Sequence, residues 1–163
     1  MSTHQPPSNE EAQRISGEAT GLRARVATKH GDVVLEFFPD VAPLTVAAFI
    51  KLSRAGFYDG LTFHRVEPGF VVQGGDPSGS GSGGPGYKLK AEFNARPHHK
   101  GALAMARASD PNSAGSQFYI CLEDARSLDR NYTVFGQVVS GMDAVQKIRR
   151  GDKMEKITIE PKG

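Results

Sequence analysis

Several kinds of residue are scarce in this chain, and each shortage excludes a class of protein. The 163 residues include no tryptophan and one cysteine, Cys121, so an intrachain disulfide is excluded and the apolar neighbours of Cys121 predict a buried structural thiol. No apolar run approaches the ~18 residues that a membrane-spanning helix needs, and no apolar secretory signal is visible at the N-terminus. The net charge is only +2, without a long basic run. We therefore expect a monomeric cytoplasmic protein that has neither a membrane nor a nucleic acid as its partner.

Two motifs resemble ligand-binding sites, but their contexts do not support that interpretation. Residues 79–84 fit the pattern G-x-G-x-x-G, yet Pro77 precedes them and Pro85 follows, so no helix starts there to hold a pyrophosphate. A flexible glycine loop that lets a ligand approach is favoured. His98 and His99 are adjacent, so on an extended chain they point to opposite faces, and a solvated loop is favoured over a metal site. We expect neither a metal nor a cofactor.

The chain divides into a polar start and one longer folded region. Residues 1–20 contain few apolar side chains, which predicts a flexible N-terminal extension, with a short helix over residues 9–16 as an open alternative. Residues 21–163 are expected to form a single domain.

Apolar periodicity predicts the secondary structure of that domain. Apolar residues at three-to-four spacing indicate helices over residues 44–55 and 142–149. Apolar runs and alternation indicate eight strands, over residues 22–29, 33–38, 62–66, 71–73, 102–106, 117–122, 133–139 and 154–159. Because most strands follow one another directly, we expect a mainly β fold, a closed eight-stranded antiparallel β-barrel capped by two α-helices.

Residues 63–76 are the densest group of candidate functional side chains. They place Arg65, Phe70 and Gln73 on a segment that is predicted to run strand, turn, strand. The segment contains no nucleophile–base pair and no cluster of metal ligands, so its chemistry must rest on hydrogen bonding and shape. Rotation about a peptide bond is one reaction that can be catalysed in this way, because a guanidinium can stabilise the amide nitrogen as it twists.

The same segment carries a resemblance to a known family. Phe63-His64-Arg65-Val66, Pro68-Gly69-Phe70 and Gln73-Gly74-Gly75-Asp76 are followed in order by four further blocks: Leu103-Ala104-Met105-Ala106, Gly115-Ser116-Gln117-Phe118, Leu128-Asp129 and Val134-Phe135-Gly136. In these blocks the chain resembles the cyclophilin family of peptidyl-prolyl cis/trans isomerases, over residues 22–160. The resemblance implies an eight-stranded antiparallel barrel closed by two helices. It also implies activity on proline-containing peptides and on unfolded or flexible chains.

The resemblance implies roles for individual residues. The catalytic group would be Arg65, with Phe70 in the wall of the proline pocket and Gln73 beside the arginine, either holding its guanidinium or contacting the substrate carbonyl. His64 is expected to be a structural histidine beside the site, because amide rotation moves no proton. The substrate-binding residues implied in this way are His64, Val71, Gly81, Ala106, Arg107, Ala108, Gln117, Tyr119, Leu128 and Tyr132.

Two alternatives stay open at this point. Arg65, taken alone, could be an ordinary surface arginine in a salt bridge, and Tyr119 could be an ordinary aromatic residue of the core. The whole groove would also suit a non-catalytic proline-peptide binding module or chaperone, although the presence of Arg65 and Phe70 favours the enzyme. Ser127 stands where the family often has tryptophan, so the resemblance implies weakened binding of cyclosporin.

Overall fold

The computed structural model describes residues 4–162 of the chain. The three α-helices of this part are α1 (Asn9–Ala19), α2 (Pro43–Arg54) and α3 (Met142–Lys147), and a 3-10 helix spans Arg126–Leu128. Its ten strands are β1 (Leu22–Thr28), β2 (Gly31–Phe37), β3 (Leu61–Thr62), β4 (Arg65–Glu67), β5 (Val71–Gly74), β6 (Ala102–Met105), β7 (Phe118–Cys121), β8 (Val134–Ser140), β9 (Lys153–Met154) and β10 (Lys156–Pro161). The fold is mainly β, as predicted.

Eight strands form one antiparallel sheet in the order β10-β1-β2-β8-β6-β7-β5-β4. The prediction of a closed barrel is wrong in one respect: within the described residues no ladder joins the edge strands β4 and β10, so the curled sheet is open. Strand β4 has only three residues. The segments that precede the two edge strands, β3 before β4 and β9 before β10, pair with each other in a separate two-stranded sheet. This small sheet replaces direct closure of the barrel.

Two predicted strands are each divided into two. The strand predicted over residues 62–66 breaks because the backbone of Phe63 pairs with the turn at Gly151 and Asp152 instead of continuing the ladder. The strand predicted over residues 154–159 breaks at Glu155, whose N–H donates to the carbonyl of Ala27. Both breaks depend on partners that are distant in sequence.

The two faces of the sheet bury different clusters. Along β7, Phe118 and Ile120 enter the main core, where Phe49 of α2 packs against Phe118 at 5.5 Å between ring centroids. Tyr119 and Cys121 alternate with them and point to a smaller cluster on the opposite face. Cys121 is fully buried, as predicted, and burial raises the pKa of its thiol to about 12.

Helix α1 lies where the sequence predicted a flexible extension. Ser8 and Glu11 form a reciprocal capping box at its start, and Ile15 and Ala19 are buried in the main core. Lys51 of α2 adds an ion pair to Glu11 at 3.1 Å. The helix that the sequence left open over residues 9–16 is therefore confirmed, and it extends to Ala19. The flexible extension over residues 1–20 and the division of the chain at residue 20 stay predictions.

Candidate active site

A hollow of about 170 Å³ opens on the sheet face that carries the smaller cluster. Strands β5 and β7 form its floor, and the loops around the 3-10 helix and after β6 form its sides. Its lining consists of nine residues: Arg65, Phe70, Val71, Gln73, Ala106, Arg107, Tyr119, Leu128 and Tyr132. All nine belong to the set that the sequence predicted as catalytic or substrate-binding.

Strand register sets the polar side of this hollow. Arg65 in β4 lies opposite Gln73 in β5, and Gln73 lies opposite Tyr119 in β7. Directly opposed residues of antiparallel strands project to the same face, so the three side chains form a row across the sheet. An arginine, a carboxamide and an aromatic ring are thereby brought side by side from three separate strands.

A chain of hydrogen bonds extends from the guanidinium to the glycine loop. Arg65 Nη1 donates to Gln73 Oε1 at 3.1 Å, and Gln73 Nε2 donates to Gln117 Oε1 at 3.0 Å. Gln117 Nε2 in turn donates to the carbonyl oxygens of Gly81 and Gly83, both at 3.0 Å. Arg65 is therefore positioned through two amide side chains by the loop that the sequence singled out.

The guanidinium of Arg65 keeps donors for a ligand. Its Nε and Nη2 donate to Glu67 Oε1 at 3.1 and 2.8 Å, and Nη1 donates to Gln73. A guanidinium has five N–H groups, of which these bonds use three. Among the described residues, one N–H on each terminal nitrogen has no partner, and both lie at the edge of the hollow.

The floor of the hollow rests on a buried histidine. His98 Nε2 lies 2.8 Å from the hydroxyl of Tyr119, and His98 Nδ1 lies 3.1 Å from Asp129 Oδ1. The side chain of His98 is 0% exposed, so the solvated loop predicted for this residue is wrong, whereas His99 is exposed. Tyr119 and Asp129 lie 21 and 31 residues away in sequence, which is why neighbouring residues gave no signal of this burial.

The electrostatics of this network keep the histidine neutral. Burial lowers the pKa of His98, although the hydrogen bond to Asp129 acts in the opposite direction. The side chain of Arg126 and then the backbone N–H of His98 hold the pKa of Asp129 down to about 2. Burial also raises the pKa of Tyr119. A neutral imidazole between a hydroxyl and a carboxylate satisfies both ring nitrogens.

Arg107 shapes the rim of the hollow. Its guanidinium donates to the carbonyl oxygen of Asn131 at 3.0 and 2.8 Å and to that of Ala108 at 2.9 Å. The same group lies 4.7 Å from the centre of the Tyr132 ring. This side chain ties the segment after β6 to the loop that carries Tyr132.

A second hollow of about 570 Å³ adjoins the first and shares Gln73, Ala106 and Arg107 with it. Three further residues that the resemblance implied as substrate-binding also line it: Gly81, Ala108 and Gln117. Residues 79–84 form a loop, as predicted.

Asp76 organises that loop, a role the sequence analysis did not assign. It accepts from the N–H and hydroxyl of Ser78 at 2.8 and 2.7 Å and from the N–H of Gly81. Burial acts to raise the pKa of Asp76, but the hydrogen bonds from Ser78, Gly83 and Gly81 together outweigh it and lower the pKa to about 2.

His64 is the one predicted site residue outside both hollows. Its ring lies close to Gly81, and its buried Nδ1 has no hydrogen-bond partner among the described residues. Burial lowers its pKa. A substrate contact by His64 therefore stays a prediction.

Comparison with known proteins identifies the family of the chain. The family described as cyclophilin type peptidyl-prolyl cis-trans isomerase/CLD matches residues 23–162. The chain belongs to this family. Among curated relatives of the cyclophilin-type isomerases, a peptidyl-prolyl cis-trans isomerase of Synechococcus elongatus is 50% identical over 139 residues, covering 84% of this chain and 95% of that one. The peptidyl-prolyl cis-trans isomerase B of Bacillus subtilis is 49% identical over 130 residues, covering 78% and 90%.

Solved cyclophilin structures share the fold. A crystal structure of a cyclophilin type isomerase from Cryptosporidium parvum superposes with a TM-score of 0.80 at 29% identity, over 86% of this chain and 98% of that one. A second structure from this organism, described as being in the presence of the dipeptide Ala-Pro, has a TM-score of 0.75 at 30% identity and covers 86% and 99%.

The chain is accordingly an enzyme, a peptidyl-prolyl cis/trans isomerase of the cyclophilin type. The described residues hold no group of three His, Cys, Asp or Glu side chains arranged for a metal ion. Between residues 4 and 162, none of the helices is long and apolar enough to cross a membrane.

Proposed function

We propose that the chain rotates Xaa-Pro bonds by donating a hydrogen bond from Arg65 to the prolyl nitrogen, with the proline ring held in the hollow between Phe70 and Tyr119. The observation that carries this proposal is the guanidinium at the edge of the hollow with two unused N–H groups. Its substrates would be proline-containing peptides and unfolded or flexible protein chains, and Gln73 would hold the guanidinium in place.

The physical basis is the electronic change at the twisted amide. The barrier to rotation, about 18–20 kcal/mol, is mainly lost resonance between nitrogen and carbonyl. At the transition state the prolyl nitrogen regains a lone pair that both isomers delocalise. A donor aimed at this nitrogen stabilises the transition state more than either ground state, which is the condition for catalysis.

The hydrogen bond from Arg65 supplies only part of the transition-state stabilisation that the reaction needs. A 10⁵-fold acceleration requires about 7 kcal/mol, whereas one hydrogen bond from a charged donor contributes about 1.5–3 kcal/mol. Fixing the ring in the hollow and pairing the peptide backbone must supply the difference. No proton, nucleophile or cofactor takes part in this scheme.

The segment after β6 supplies the backbone pairing. The N–H of Ala106 donates to the carbonyl of Gln117 at 3.0 Å, and that of Ala108 donates to Ser113 Oγ at 2.8 Å. The N–H of Arg107 lies between them and is not used by any hydrogen bond of the described residues. We assign it to the bound peptide, a role that requires no particular side chain.

Three further features belong to the same proposal. The exposed Ser127, in the position often occupied by tryptophan, supports weak inhibition by cyclosporin, which an inhibition assay measures. The lone buried cysteine supports a reducing, cytoplasmic location. Within the described residues only Phe93 and Val139 are large, apolar and exposed, which supports a monomer.

The proposal is tested by comparing Arg65→Ala with Arg96→Ala in an isomerisation assay on a short Ala-Pro peptide. The two side chains are matched, since each is paired to one acid and is 45% or 43% exposed. Arg65→Ala should lower kcat/KM at least about tenfold because it removes a charged hydrogen bond, while Arg96→Ala should keep wild-type activity. Equal activity of wild type and Arg65→Ala would refute the catalytic role proposed for Arg65.

A further inference from the structure

A third cavity, a cleft of about 670 Å³, lies on the other side of the β4–β5 hairpin from the proline hollow. Its apolar floor contains Val66, Leu122 and Ile148. Strand alternation places Val66 on the opposite side of β4 from Arg65, which lines the hollow. The N–H of Leu122 donates to the carbonyl of Phe70 at 2.8 Å, so the walls of the two cavities are directly connected.

The rim of this cleft is strongly basic. Lys147, Arg149 and Arg150 line it and are exposed, against a single acid, Glu123. Among residues 4–162 no carboxylate lies within ion-pair distance of these three cations. A chain with a net charge of only +2 thus concentrates three unpaired positive charges around one cavity.

Asp152 explains why these charges are unpaired and yet well placed. It is the acid of the turn that carries both arginines, but its carboxylate binds Lys29 at 3.1 Å and His30 at 2.8 Å. It also accepts from the backbone N–H of Arg149 at 2.8 Å, and this contact is the largest cause that lowers the pKa of Asp152 to about 2. The turn is therefore held by an ionised acid that leaves the two guanidinium groups of Arg149 and Arg150 open.

We propose that this basic cleft binds an acidic segment of a client protein chain while a proline of the same chain occupies the hollow. Carboxylates would pair with Arg149 and Arg150, and an apolar side chain would lie on Val66 and Ile148. A mixed acidic and apolar peptide fits this surface better than a nucleic acid, since the floor is apolar and Glu123 would repel a continuous row of phosphates. The proposal rests on the proposed function in that the client is a protein chain whose proline occupies the hollow.

The test compares a peptide of glutamates and leucines without proline, labelled for fluorescence anisotropy, on three proteins. These are the wild type, Arg149→Glu with Arg150→Glu, and a control with Arg14→Glu and Arg54→Glu, which are exposed arginines outside both cavities and give the same change of charge. We expect the cleft variant to weaken binding at least ~10-fold and the control to bind as the wild type does. Equal weakening in both variants would reduce the effect to net charge and overturn the proposal.

Two further measurements separate the remaining outcomes. All three proteins should isomerise a neutral Ala-Pro peptide at the wild-type rate, so failure of the cleft proposal would leave the isomerase activity intact and distinguishable. The charge-removing pair Arg149→Gln and Arg150→Gln, checked by thermal unfolding, should lose acidic-peptide binding without loss of fold. Retained binding in that variant, or tighter binding of an oligonucleotide of equal charge at the cleft, would contradict the proposal.

Discussion

At the scale of single residues, the hydroxyl of Tyr119 links the candidate active site to the stability of the fold. The ring of Tyr119 lines the hollow, and its oxygen lies 2.8 Å from the buried Nε2 of His98. The resemblance to cyclophilins suggested the ring at this position, but no pattern in the sequence suggested its partner. Such a network can be found only when residues from three parts of the chain are seen together, since a buried polar group needs partners that the fold supplies.

Replacing Tyr119 by phenylalanine should therefore cost stability. The ring remains, but His98 Nε2 is left buried without a partner, which should lower the free energy of unfolding by about 1–3 kcal/mol. Tyr87→Phe is the matched control, because the buried hydroxyl of Tyr87 has no hydrogen-bond partner within the described part of the chain. Urea unfolding of both variants measures the difference. A loss in Tyr87→Phe as large as that in Tyr119→Phe would contradict the role given to His98.

At the scale of elements, apolar periodicity predicted the helices and strands whose bounds depend on residues near in sequence. Helix α2 is found at Pro43–Arg54 against a prediction of residues 44–55, and β1 is found at Leu22–Thr28 against a prediction of residues 22–29. The sequence analysis gave helix α1 only as an alternative and made it three residues too short, because only Ile15 and Ala19 are buried within it. Its capping box, Ser8 with Glu11, is nevertheless visible in the sequence. The division of the edge strands was not predictable, because it depends on pairing between residues about 90 positions apart.

The packing of α1 has a measurable consequence. Ile15→Ala should lower the free energy of unfolding by about 2–5 kcal/mol, because it opens a cavity between α1 and α2. Val139→Ala removes methyl groups from an exposed position and should change stability by less than about 0.5 kcal/mol. Chemical denaturation compares the two variants. If Ile15→Ala is as stable as Val139→Ala, residues 9–19 form the flexible extension that composition alone suggested.

At the scale of the whole molecule, an open antiparallel sheet buries a main core on one face and builds its site on the other. Nine of the predicted site residues meet in one hollow, and Gly81, Ala108 and Gln117 join them through the adjoining one. The family resemblance was sufficient to predict these lining residues from the sequence. The hydrogen bonds of Asp76 and His98 could be found only in the structure. The β4–β5 hairpin lies between the hollow and the basic cleft, so one client chain can contact both.

The central claim is that a planar guanidinium, rather than positive charge alone, stabilises the twisted amide. It is tested most directly by the rate of cis/trans exchange of a bound Ala-Pro peptide, measured by NMR for the wild type and for Arg65→Lys. Lysine keeps the charge but lacks the rigid fork that Gln73 and Glu67 hold in place. We predict an exchange rate at least about tenfold slower, with peptide affinity little changed. A lysine variant that exchanges the peptide as fast as the wild type would contradict the account.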